Sequence, residues 1–294
     1  MSSGSIWGYW SLIGIHPPSA NALHLVISTE SAAKSGATEI VTVTVFDNQN
    51  LALAGAAVNV SVPQGNDKGN LTLNVLDTPA KYVVATSDAN GQVRARYTAA
   101  GVSVKISVIV SAVATKQPTF PDPARASRVV SVFPAGVSFL SVRVDLPLGD
   151  RVSAGSTLPL SIGVKDQDRN TVGDAAVVIA AAPTGQVTPN PGSGPASSMG
   201  SVTLTASSTV TSVTTVTLTV QATKTGLQTG SVNQQVTVVP SGSGTHRCPD
   251  GKVYPASQQC PTVQTPGLEV LPILAGIGVA ALVAGVIAER KRRS

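Results

Sequence analysis

The sequence predicts an all-β chain: two tandem Greek-key β-sandwiches, a linker, and one C-terminal transmembrane α-helix. Three observations carry that expectation. Short runs alternate apolar and polar residues with period two, the signature of half-buried strands. The chain repeats itself at a shift of 119 residues, which pairs Gly36 with Gly155 and Asp47 with Asp166. One long uncharged apolar stretch, residues 270–288, lies near the C-terminus.

Composition agrees. Of 294 residues 42% are apolar, but only 12% are charged and 3% aromatic, with three His and two Cys. An ordinary soluble domain carries roughly 25% charged residues. Catalytic and metal sites draw on converging His, Cys, Asp and Glu in pockets rich in aromatic side chains. These counts weigh against an enzyme, and no catalytic residue, metal ligand or cofactor is expected. The net charge of +5 does not imply a nucleic-acid partner, because Glu289, Arg290, Lys291, Arg292 and Arg293 alone hold +3 of it. No basic stripe with interleaved aromatics remains to track phosphates.

In the first copy, residues 40–46 put Ile40, Thr42, Thr44 and Phe46 on one face and Val41, Val43 and Val45 on the other. Val58, Val60 and Val62 mark the next strand, followed by runs at 70–76, 93–98 and 104–113. Asp88, Asn90 and Gly91 form a turn, Asn and Gly being suited to positive φ. In the second copy Leu160, Ile162 and Val164 take the places of Val41, Val43 and Val45. Later the shift shrinks, so that Gly91 pairs with Gly200 and Lys116 with Lys224; such gaps belong in loops. The copies end alike at Pro134 and Pro240, giving sandwiches at 22–134 and 135–240. Each copy is expected to fold and melt independently.

Gly36, the alternating strand to Asp47, Gly55 with Val58, and Asp88 with Gly91 resemble the bacterial immunoglobulin-like domains of group one, which build invasin and intimin stalks. The second copy keeps Gly155, Asp166 and Gly173 but replaces the later turn with a Gly/Pro-rich stretch around Gly192 and Pro195. The resemblance implies immunoglobulin-like sandwiches and a surface role.

Asp166, Asp168 and Asn170 open like a calcium loop, yet Thr171 stands at the required Gly and Val177 at the required Glu. Hairpin turns capped by Asp47 and Asp166 are the better account. Asn59 and Asn70 begin glycosylation sequons, with Asn59 on an outward strand face. Cys248 and Cys260 lie in the linker, 241–269, and outside the cell are expected to form one disulfide.

Residues 270–288 are 19 residues without a charge. As a helix they would cover about 28 Å, near the ~30 Å hydrocarbon thickness. The basic tail at 289–294 marks the cytoplasmic side, leaving the bulk of the chain extracellular. Pro266, Gly267 and Leu268 before that helix resemble the C-terminal sorting signals of archaeal surface proteins, with Leu268 where those carry Phe. A retained helix is the simpler case. Residues 1–21 show neither the charged start nor the apolar run of a signal peptide, and read as an N-terminal remnant or leader.

The expected function is a non-catalytic, single-pass cell-surface protein serving as stalk, adhesion or envelope module. Its partners would be the membrane and surface proteins or glycans. The alternative is the C-terminal stalk of a larger exported protein, a transporter's solute-binding receptor or a surface hydrolase, whose working domain precedes residue 20.

Overall fold

The computed structural model describes residues 22–241, 245–247 and 253–255. The described chain is all-β apart from two single-turn 3-10 segments, Asn66–Lys68 and Ala196–Ser198. Nine strands build the first sandwich: β1 His24–Ser28, β2 Ala32–Lys34, β3 Thr38–Phe46, β4 Ala57–Ser61, β5 Asn70–Thr72, β6 Tyr82–Thr86, β7 Gln92–Thr98, β8 Ile106–Lys116 and β9 Phe120–Phe133. They form a four-stranded sheet, β1-β3-β7-β5, facing a five-stranded one, β2-β9-β8-β4-β6.

The second sandwich repeats this plan. Its strands are β10 Leu140–Asp145, β11 Arg151–Ser153, β12 Thr157–Asp166, β13 Ala176–Ala182, β14 Val187–Asn190, β15 Ser193–Pro195, β16 Val202–Ala206, β17 Thr214–Thr223 and β18 Gly230–Val239. The sheets run β10-β12-β16-β14 and β11-β18-β17-β13-β15. In both copies the first strand changes sheets midway, so that β2 and β11 pair in parallel with the last strand. That is an immunoglobulin-like Greek key. The turn after the switch uses Gly36 and Gly155 at φ 76° and 78°, a left-handed geometry that costs glycine little.

The alternation does what period two requires. Val41, Val43 and Val45 are fully buried between the sheets, as are Val58 and Val60. Leu160, Ile162 and Val164 fill the equivalent core. Three local expectations are corrected. The run at 70–76 is a strand only to Thr72; the Asp77 carboxylate then accepts the Asn74 N–H (2.7 Å), turning the chain and leaving Leu76 96% exposed. The strand expected from 104 begins at Ile106, with Val104 in solvent. β6 and the first half of β9, which carries Pro121 and Pro123, had no alternation strong enough to announce them.

The two copies also meet at a buried junction. Part of the outward row of β1 and β3 is buried at the second sandwich: Val26 and Phe46 belong to its hydrophobic core, while Ile40 stays 40% exposed. Phe133 and Phe139 stack at 4.5 Å beside Ala32, sealing the connection. Backbone bonds cross as well: Ser31 N–H donates to Val142 O (3.0 Å), and Val142 N–H donates to Ser31 Oγ (2.9 Å). A repeated sequence need not mean separately stable units when the first copy lends Val26 and Phe46 to the core of the second.

Beyond the sandwiches, β19 Thr245–Arg247 pairs with β20 Val253–Pro255 in a two-stranded sheet. Among the described residues no helix is long and apolar enough to cross a membrane. The span expected at 270–288 and the tail at 289–294 lie outside the described residues.

Candidate functional site

The junction between the sandwiches gathers most of the buried polar chemistry. Strand alternation in β1 sends Leu25 and Ile27 into the first core and His24, Val26 and Ser28 the other way, yet all five β1 residues are buried. His24 stacks on Phe46 with centroids 5.3 Å apart. Its Nε2 lies 3.2 Å from Asp150 Oδ1. Burial drives the imidazole down to about 3, helped by nearby Arg151. It also pushes the Asp150 carboxyl up to about 6. A close ion pair would shift both the other way, so desolvation dominates here, and at neutral pH the ring is uncharged. Asn50 beside them donates to Arg151 O (2.6 Å).

A second cluster lies at the sheet switch. Glu30 is held by Lys165 (3.1 Å) and by the Ser141 hydroxyl (2.9 Å). Glu39 meets Arg169 at 3.1 Å, and burial raises its pKa against the pull of that guanidinium. Ser28 Oγ donates to the Asp145 carboxylate.

Beside the His24–Asp150 cluster opens a cleft of ≈ 1070 Å³, walled by β9 on one side and β18 on the other. At its base Arg128 is only 5% exposed. Its guanidinium donates to Asn233 O, to Ile27 O (2.8 Å) and to Gln234 Oε1. Its Nε has no partner among the described residues. Burial lowers its pKa to about 10, so it stays charged at neutral pH. Sequence reasoning passed over this residue. The signal was present: Arg128 occupies the inward row of β9 with Ala124, Ala126, Val130 and Val132, where an apolar side chain belongs.

The residues singled out from sequence lie elsewhere and are not brought together. Asp47 Oδ1 accepts the N–H groups of Gln49 and Leu51 (2.8 and 2.9 Å). Asp166 Oδ1 likewise accepts from Asp168 and Asn170 (both 2.9 Å). These carboxylates cap turns, and among the described residues no three His, Cys, Asp or Glu side chains cluster as metal ligands. Asn59 is exposed on β4, flanked in register by Val84 and Val113. Asn70 is half-buried on β5. Cys248, Cys260, Pro266, Gly267 and Leu268 lie outside the described residues.

No protein-family model matches the sequence, and no curated protein aligns with it. Among solved structures it is similar to native Escherichia coli alpha-2-macroglobulin, with 11% identity and a TM-score of 0.28 over 75% of this chain. The chain spans 17% of that protein's length. It is similar to AggA, the major subunit of aggregative adherence fimbriae type I from Escherichia coli, at 12% identity and TM-score 0.31, over 41% of this chain and 100% of that one. A conjugative transposon lipoprotein from Bacteroides eggerthii matches at 14% identity and TM-score 0.27, over 37% of this chain and 95% of its own.

Proposed function

We propose that the chain is a non-catalytic, membrane-anchored cell-surface protein whose paired sandwiches act as a stalk, adhesion or envelope module, of the kind that invasin- and intimin-like repeats build. The observation that carries this reading is the shared core: Phe46 and Val26 of one sandwich are buried in the other. Tandem sandwiches joined by a flexible linker would bend at every joint. Two joined by a shared apolar junction and by hydrogen bonds across it transmit orientation, which suits a spacer or a presenting arm. The span at 270–288 would hold the chain in the membrane with residues 289–294 inside the cell. A Cys248–Cys260 disulfide would close the membrane-proximal loop, and Asn59 and Asn70 would be glycan acceptors.

Protease applied to intact cells tests this. Fragments from residues 22–240 should be released while a small membrane-bound remnant stays behind. Full protection of the sandwiches on intact cells, with cleavage after lysis, would refute the surface assignment.

A further inference from the structure

The strand pairing leaves two edges open in the junction cleft. β9 pairs with β8 along nearly its whole length, but on its other side β2 covers only Ser131, Val132 and Phe133. Among the described residues no strand pairs with positions 124–130 on that side. β18 has the same asymmetry, since β11 covers only Thr237, Val238 and Val239.

The direction of the unpaired groups follows from their neighbours. Ser131 N–H donates to Ser31 O, away from β8, and backbone direction alternates along an antiparallel strand. Arg125, Ser127 and Val129 therefore turn their N–H and C=O groups toward the cleft. Thr237 N–H donates to Asp150 O in the same sense, so Ser231, Asn233 and Gln235 also face it. Asn233 O is indeed the carbonyl that Arg128 reaches across to bond.

Charge adds a second, independent constraint. Arg128 is buried with no carboxylate within ion-pair distance among the described residues; Asp145 acts on it only at longer range, and its Nε has no partner. A buried charge without a close counter-ion is costly, and Arg128 meets that cost with three neutral acceptors and the more distant Asp145 carboxylate. Arg125 also lines the cleft, and Asp150, paired with His24, is the single carboxylate among the lining residues. The site is a polar, cationic slot edged by unpaired backbone.

We propose that this cleft binds an extended peptide carrying an acidic side chain, which adds as a strand to the open edge of β9 and places its carboxylate against Arg128. Main-chain bonds to positions 125, 127 and 129 supply sequence-tolerant affinity, and the buried guanidinium selects the acidic residue. Positions 123–129 would accommodate about seven residues, roughly 23 Å at strand rise. The proposal is independent of where the protein is anchored, because it needs only the paired sandwiches.

The test measures fluorescence anisotropy with the full-length chain and a fluorescein-labelled probe, acetyl-Thr-Val-Thr-Glu-Thr-Val-Thr-amide. The probe should bind saturably, and more weakly as salt rises. The same probe with Gln for Glu should bind at least tenfold more weakly, and one with alternate backbone amides N-methylated should not bind. Ser127→Pro removes a cleft-facing N–H from an exposed position while leaving the β8 side intact. Its thermal melting should stay near wild type while probe affinity falls at least tenfold. No saturable binding at millimolar probe overturns the proposal. So does equal affinity for the Glu and Gln probes, or for the N-methylated one. Full competition by free glutarate at equal concentration would mean a simple carboxylate pocket and would also overturn strand addition.

Discussion

Glu39 and Arg169 meet across the two sandwiches, carboxylate to guanidinium at 3.1 Å, and Arg169 does so from a left-handed turn position at φ 69°. The equivalent turn in the first sandwich puts Asn50 at φ 60°, a residue that tolerates that conformation far better than arginine. The second copy thus carries backbone strain where its side chain bridges to the first.

Replacing Arg169 by Ala should therefore leave Glu39, whose side chain is 10% exposed, without its counter-ion. Because Arg169 is itself half in solvent, the loss is about 1 kcal/mol rather than the several of a fully buried pair. Arg169→Gly should recover about half of that loss by relieving the positive φ. Denaturant midpoints rank the three proteins; glycine less stable than alanine would contradict the strain argument.

Phe46 tests the shared core. Phe46→Ala removes a ring from β3 of the first sandwich that is packed in the second, at a cost of about 3 kcal/mol. Hydrogen exchange should speed up in β10 and β12 as well as in β3. Val43→Asp, which puts a charge into the first core, should likewise expose β10. Faster exchange confined to the first sandwich would show that the copies are separable after all.

His24 and Asp150 should give opposing pH dependences. The native carboxyl titrates near 6 against 3.8 unfolded, so the native state binds the extra proton between those values and gains stability as pH falls through them. The native imidazole titrates near 3 against 6.5, so the unfolded state binds the extra proton and stability is lost as pH falls from 6.5. From about pH 6 to 4 the two contributions cancel. Relative to wild type, Asp150→Asn should lose about 1 kcal/mol per pH unit across that window, and His24→Gln should gain a similar amount. Urea melts at pH 4, 5 and 6 check the signs; parallel curves for all three proteins would rule the pair out.

The capped turns predict indifference to chelators. Asp166 Oδ1 already accepts two N–H groups, so EDTA should leave the melting temperature unchanged. Asp166→Ala should lower it, at a cost of about 1 kcal/mol for lost side-chain to backbone bonds. A downward shift with EDTA in the wild type, absent in Asp166→Ala, would instead make this turn a calcium site.

The sequence by itself determined the all-β class, the repeat and the inward rows of each sandwich. Whether Val41, Val43 and Val45 face inward depends only on the two-residue period of a strand, and every residue needed to read it is local. The Asp47 and Asp166 caps were legible for the same reason, since their bonds span two to four residues. Tertiary structure alone decided the junction. His24 and Asp150 are 126 positions apart, and Arg128 meets Asn233 across 105. No periodicity within one strand reports on what covers its outer face. Thr42 and Phe46 look solvent-facing by alternation and are buried because the second sandwich docks there. The open edges of β9 and β18 are likewise products of pairing: β1 and β10 lie in the opposite sheets, the chain reaches these edges only at β2 and β11, and only the assembled topology shows the gap.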